Sequence, residues 1–136
     1  MTAASRIKRL KPSMRVAVFE RSEYVSYAPC GLPYYLGGFA KSIDQLVHYT
    51  VDVFRKRGID VFTRAEVVEV AQGYARVRLG GEEKAFEWSK LILATGARPR
   101  LPPIKGLDLE GVFTLRTLED GERAKRDVQS ARRVAV

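Results

Sequence analysis

The chain has 136 residues, 46% apolar and 29% charged, a globular composition that fills one ordinary domain and is too short for two full-sized ones. It holds no apolar run of the roughly 18 residues a membrane span needs, and its single cysteine, Cys30, excludes an internal disulfide framework and a cysteine-built zinc site. The net charge is +8, with Arg6, Lys8, Arg9, Lys11 and Arg15 unopposed by any acid in the first fifteen residues, so the other 121 residues carry +3.

Thr2 to Leu10 reads as a short helix, because Ala3, Ile7 and Leu10 recur at helical spacing and Pro12 stops it. Arg15 to Glu20 is a compact apolar run ending in an acid, the pattern of a buried strand. Arg21 to Phe39 is rich in Gly, Pro, Ser and Tyr and reads as loop, with room for a short helix near Tyr34 and Tyr35. Helical sequence follows between Ser42 and Arg57, clearest from Val51, and Gly58 ends it. Asp60 to Phe62, Glu66 to Val70, Ala75 to Leu79 and Lys84 to Glu87 are short strands divided by Gly73 and Gly80-Gly81.

Lys90 to Thr95 is a second buried-strand pattern, closed by Gly96. Arg98 to Pro103, with three prolines, must be extended, and Val112 to Leu115 reads as a strand. Thr117 to Ala131 reads as a helix opened by a Thr117-x-x-Asp120 capping box, and Arg132 to Val136 begins a new apolar strand. The order predicts an α/β domain whose parallel sheet carries an inserted antiparallel β-meander.

A dinucleotide-binding fold runs strand, Gly-rich turn, helix, second strand and a terminal acid for the ribose. The helix, the second strand and the acid Glu20 are present here, while the first strand and the turn are not in the sequence. On this reading the chain starts just after one such turn and stops just before another. Residues 1–131 would then be a partial dinucleotide-binding domain lacking its first strand and Gly-rich turn, and residues 132–136 the first strand of a truncated second one. No secretory signal is expected, because Met1 leads directly into basic helical sequence.

Four segments resemble a known family. Ala3-Ala4-Ser5-Arg6-Ile7-Lys8-Arg9-Leu10 through Phe19-Glu20 resembles the start of the pyridine nucleotide–disulfide oxidoreductases. Tyr24-Val25-Ser26-Tyr27-Ala28-Pro29-Cys30-Gly31-Leu32-Pro33-Tyr34-Tyr35 is similar to their single-cysteine branch, which includes coenzyme A disulfide reductases, NADH oxidases and CoA-persulfide reductases. Leu91-Ile92-Leu93-Ala94-Thr95-Gly96-Ala97-Arg98-Pro99-Arg100 is similar to their Ala-Thr-Gly segment. Gly111-Val112-Phe113-Thr114-Leu115-Arg116 followed by Leu118-Glu119-Asp120 is similar to the approach to their NAD domain.

The resemblance implies that residues 1–131 are an incomplete FAD-binding, Rossmann-like domain and residues 132–136 the first strand of a truncated NAD-binding domain, in an FAD-dependent NAD(P)H oxidoreductase in which Cys30 cycles between thiolate and an oxidised form. NAD(P)H would act through a domain absent from this chain. The acceptor would be a small-molecule disulfide such as coenzyme A disulfide, a persulfide, or oxygen. The resemblance also gives Glu20 to the adenosine ribose of FAD, Arg21 to its surroundings, Val67 to a backbone contact with adenine, and Thr95 and Gly96 to close backbone approach. Thr2, Arg6, Arg9 and Ser26, with Arg57 approximately, match a coenzyme A pocket, whose phosphates arginines suit. Pro29 stands where many members carry asparagine, which removes a polar side chain beside the cysteine.

The bland alternatives are a buried, inert Cys30, a surface acid at position 20 and a solvated basic face on the first helix. Tyr34 and Tyr35 are read as packing, and His48 is assigned no role. No metal is expected. The protein is expected in the cytoplasm with no membrane partner, and no nucleic-acid partner is expected because the basic residues lack an aromatic platform and the resemblance accounts for that region otherwise. The family implies a homodimer. The other function class is a non-catalytic fragment needing a complementing chain. Its missing first strand would lie between Arg15–Glu20 and Lys90–Thr95, and two unpaired interior edges would leave this chain alone a poor FAD binder.

Overall fold

The first helix, α1 (Thr2–Leu10), forms at the predicted residues and buries Ala4. It ends where Lys8 turns back on the loop: Lys8 Nζ donates to the carbonyls of Pro12 at 2.6 Å and Met14 at 2.9 Å. Lys8 is therefore a local clasp, while Arg6 and Arg9 point into solvent. The computed structural model describes all residues, 1–136. They divide into two compact units, Met1–Tyr27 with Tyr49–Leu93 and Ala28–His48 with Ala94–Val136.

In the first unit β1 (Ala17–Glu20) and β2 (Asp60–Thr63) pair in parallel, with Val18 opposite Val61 and Phe19 opposite Phe62. Alternation sends these pairs to opposite faces. Val18 joins the core of Ala4, Phe54, Ile59 and Val61, where Val16, Val25 and Val51 also pack. Phe54 comes from α2 (Val51–Lys56), whose end is turned by Gly58 at φ +75, the left-handed conformation that favours glycine.

Phe19 and Phe62 stack on the other face with ring centroids 5.2 Å apart, and Phe86 meets them at 4.7 and 5.4 Å. This triad anchors the meander of β3 (Ala65–Ala71), β4 (Tyr74–Leu79) and β5 (Glu82–Glu87), which is antiparallel throughout. Ala65, Ala75 and Val77 are its buried side chains. The opposite face carries the ion pairs Glu69–Arg76, Glu66–Arg78 and Arg78–Glu83. All are half-exposed, so each contributes at most about 1 kcal/mol.

The second unit has no strand. It holds a 3-10 turn at Pro29–Gly31, a short helix α3 (Leu32–Leu36), a 3-10 turn at Ile43–Leu46 and the helix α4 (Leu118–Ser130). The predicted capping box is formed in full: Thr117 Oγ1 accepts from the Asp120 N–H at 3.2 Å, and Asp120 Oδ2 accepts from the Thr117 N–H at 3.0 Å.

Three predicted strands are absent. Residues 90–95, 112–115 and 132–136 form no ladder, and Leu91, Ile92 and Leu93 are 40%, 60% and 70% exposed. A strand exists only as one side of a pair, and nothing in the chain pairs with these runs. The parallel sheet consequently has two strands, and the β-rich part of the molecule is the meander.

Candidate functional site

Cys30 is the middle residue of the 3-10 turn Pro29–Gly31 and is exposed. The burial that would make a cysteine inert is therefore missing. Pro29 presets the first residue of the turn. The Ala28 N–H donates to the Leu46 carbonyl at 2.9 Å, and the Gly31 N–H donates to the Ala28 carbonyl at 3.0 Å. A Cβ on Gly31 would overlap the Leu46 side chain, so glycine is what lets the two 3-10 turns meet.

The same unit holds Thr95 and Gly96 on an extended, exposed segment. Gly96 has φ +71, and the Arg116 guanidinium lies 3.8 Å from where a Cβ would stand. A side chain there would be strained by the backbone alone.

In the first unit Glu20 is the last residue of β1 and is half-buried. Its Oε1 accepts from the Ser22 N–H at 2.8 Å, and it enters no ion pair. The loop that follows is fastened from the far side. Ser22 Oγ donates to the Tyr24 carbonyl at 3.0 Å, and the Arg64 N–H donates to the Ser22 carbonyl at 3.0 Å. Arg64 holds φ +52, unusual for a residue with a side chain, and its guanidinium pairs with Glu23 at 2.6 Å. The hydrogen bond that Arg64 donates to the Glu23 carboxylate, and then the charge of that carboxylate, hold the Arg64 pKa above the ordinary arginine value. Arg21 is exposed beside this loop and unpaired.

Val67 lies on β3 opposite Val77, next to a bulge that breaks the register between Val67 and Glu69. A bulge releases backbone groups from the ladder, a feature that residue types alone did not signal. Arg6 and Arg9 are exposed on α1 without ion pairs, Thr2 is exposed at its start, and Ser26 is half-buried. Arg57, just past α2, lies over the Tyr49 and Phe54 rings at 5.1 and 5.5 Å. Thr2, Arg6, Arg9, Ser26 and Arg57 thus share the first unit with Glu20, Arg21 and Val67, and Cys30, Thr95 and Gly96 share the second.

Sequence reasoning took Tyr34 and Tyr35 together as packing. Tyr35 fits, but Tyr34 is 62% exposed and meets only the Phe39 ring edge-on. It overlooked Gly121 and Lys125 of α4, because a helical glycine and a lysine in a charged helix give no pattern.

The first unit thus holds a parallel strand pair ending in a half-buried acid together with an antiparallel meander, and the second holds a lone accessible thiol on a proline-glycine turn. The chain is a member of the pyridine nucleotide-disulphide oxidoreductase family, whose model matches residues 1–136. It is 56% identical over 115 residues to an NAD(P)H sulfur oxidoreductase (CoA-dependent) of Pyrococcus furiosus, covering 84% of this chain and 26% of that protein. It is 34% identical over 142 residues to an NADH oxidase of Methanocaldococcus jannaschii, covering 100% of this chain and 32% of that one. Among solved structures, an NAD-dependent persulfide reductase from A. fulgidus superposes with a TM-score of 0.87 at 36% identity, covering 95% of this chain and 25% of that one. The chain thus spans about a quarter to a third of the length of these relatives.

Proposed function

We propose that this chain is the cysteine-bearing part of an FAD-dependent NAD(P)H oxidoreductase that reduces a small-molecule disulfide or persulfide, or oxygen, through Cys30. The observation that carries the reading is the exposed thiol of Cys30 on a turn tied to Leu46 through the Ala28 N–H. Accessibility is what a sulfur nucleophile needs, and a fixed turn directs it.

The residues present fit FAD at the ribose end. Glu20 closes a parallel strand, where a carboxylate meets ribose hydroxyls in dinucleotide folds, and it has an oxygen beyond the one that binds the Ser22 N–H. Arg21 adds a cation next to it in sequence, and the backbone near Val67 is loosened by the bulge. When bound, the flavin supplies two-electron transfer between a nicotinamide and sulfur.

The work of the chain itself is thiol chemistry. The Cys30 thiolate attacks one sulfur of a substrate disulfide RS–SR; the S–S bond breaks, RS⁻ leaves and takes a proton, and Cys30 is held as a mixed disulfide with the other half. Two electrons originating in NAD(P)H then cleave that mixed disulfide, and a proton completes the second RSH as the Cys30 thiolate returns. Arg6 and Arg9, unpaired on one face of α1, suit the phosphates of a coenzyme A substrate; Thr2, Ser26 and Arg57 are the remaining members of that proposed pocket.

The test is NAD(P)H oxidation with coenzyme A disulfide, a CoA persulfide and oxygen as separate acceptors, using the polypeptide as the cell makes it. Cys30→Ser should abolish the sulfur-dependent rate, and an unchanged rate would overturn the reading. The second reading, a non-catalytic chain needing a complementing polypeptide, is favoured by the unpaired apolar run at residues 90–95. A purified chain without flavin that acquires it only on mixing with a second polypeptide would support that reading.

A further inference from the structure

The turn that carries Cys30 runs directly into α3, and α3 is held by α4 at two places. At the first, Gly121 sits buried inside α4, where a Cβ would stand 2.6 Å from Leu32 Cδ2 and 3.8 Å from Tyr35 Cδ1. Glycine costs an exposed helix interior about 1 kcal/mol relative to alanine, and here it admits Leu32, which is 1% exposed. At the second, Lys125 lies four residues further on, hence on the same face of α4. Its Nζ donates to the Tyr35 carbonyl at 2.9 Å and lies 3.8 Å from the centroid of the Tyr35 ring. The ammonium thus closes the C-terminal end of α3 with a charge-assisted hydrogen bond and a cation–π contact.

We infer that Gly121 and Lys125 are positioning residues for Cys30: the α4 stripe fixes α3, and α3 fixes the turn on which the thiol stands. The inference rests on the reading of Cys30 as the reacting sulfur, but its geometry is independent of turnover. Neither residue touches the thiol. Leu32 adjoins Gly31 in sequence, and Gly31 is wedged against Leu46, so a displaced α3 moves the cysteine turn directly.

The experiment follows carboxamidomethylation of Cys30, the chain's one thiol, by iodoacetamide at one fixed pH, with the same chain unfolded in guanidinium chloride as reference. Lys125→Met should move the alkylation rate toward the unfolded reference. The rate should change by about fivefold, the factor that one net hydrogen bond is worth. Lys125→Arg, which keeps a cation and a donor, should restore most of the native rate. Gly121→Ala should raise or preserve α4 helicity by circular dichroism and still shift the alkylation rate, because the new methyl displaces Leu32. Native rates in both Lys125→Met and Gly121→Ala, with helicity retained, would overturn the inference. So would failure of Lys125→Arg to differ from Lys125→Met. Loss of the proposed redox role is a separate outcome, read from a Cys30→Ser variant that keeps its sulfur-dependent turnover.

Discussion

Residues 65–87 and residues 90–95 are neighbours in the chain and opposites in structure. The meander buries Val77 completely, whereas Ile92 and Leu93 stand 60% and 70% exposed in a segment with no hydrogen-bonded partner. The second stretch is the more hydrophobic of the two. Apolar content therefore does not decide which becomes a strand; partner availability does. Each meander strand finds its partner across a tight turn at Gly73 or Gly80-Gly81, so closure costs little entropy. The Phe19–Phe62–Phe86 triad then gives the finished sheet a face to pack on. Residues 90–95 have neither a hairpin neighbour nor such a face.

The most severe test of this contrast is Val77→Asp. A carboxylate placed at a fully buried position of the central meander strand has no partner, and the expected loss is at least about 3 kcal/mol. Urea unfolding and the strand signal in circular dichroism would measure it. Next comes Leu118→Ala at the start of α4, where the side chain is also fully buried. The loss expected from such a truncation is about 2–5 kcal/mol, visible as a lower urea midpoint. Thr117→Ala removes one half of the capping box and should cost about 1 kcal/mol in the same assay. The smallest effect belongs to Leu93→Asp, expected within about 0.5 kcal/mol of the native chain. A loss near that of Leu118→Ala would mean that residues 90–95 are packed and would break the contrast.

What was legible in the sequence follows the same division. Helix Thr2–Leu10 was readable from its spacing and Pro12, and the box at Thr117 and Asp120 from a four-residue signature, because both signals are local. The antiparallel meander was readable because its glycines mark its turns. The strand expectations at 90–95, 112–115 and 132–136 failed because a period of two or a run of apolar residues specifies a willingness to pair, and the pairing itself is not local.

At the candidate site, Cys30 was visible as the one cysteine in a proline-glycine setting. That the thiol is exposed, and that Gly31 closes on Leu46, emerges only from packing. Glu20 was legible as an acid at a strand end. Arg64, which fastens the loop after it from 41 residues away, was not, because its positive φ and its pairing with Glu23 leave no mark on residue order.

The account turns on one sulfur atom, and mass spectrometry of the chain after exposure to coenzyme A disulfide addresses it without need of turnover. The prediction is a covalent coenzyme A adduct located at Cys30 by peptide mapping, released by dithiothreitol and absent in Cys30→Ser. A chain whose Cys30 stays unmodified after the same exposure would contradict the claim that the substrate is reduced through that residue.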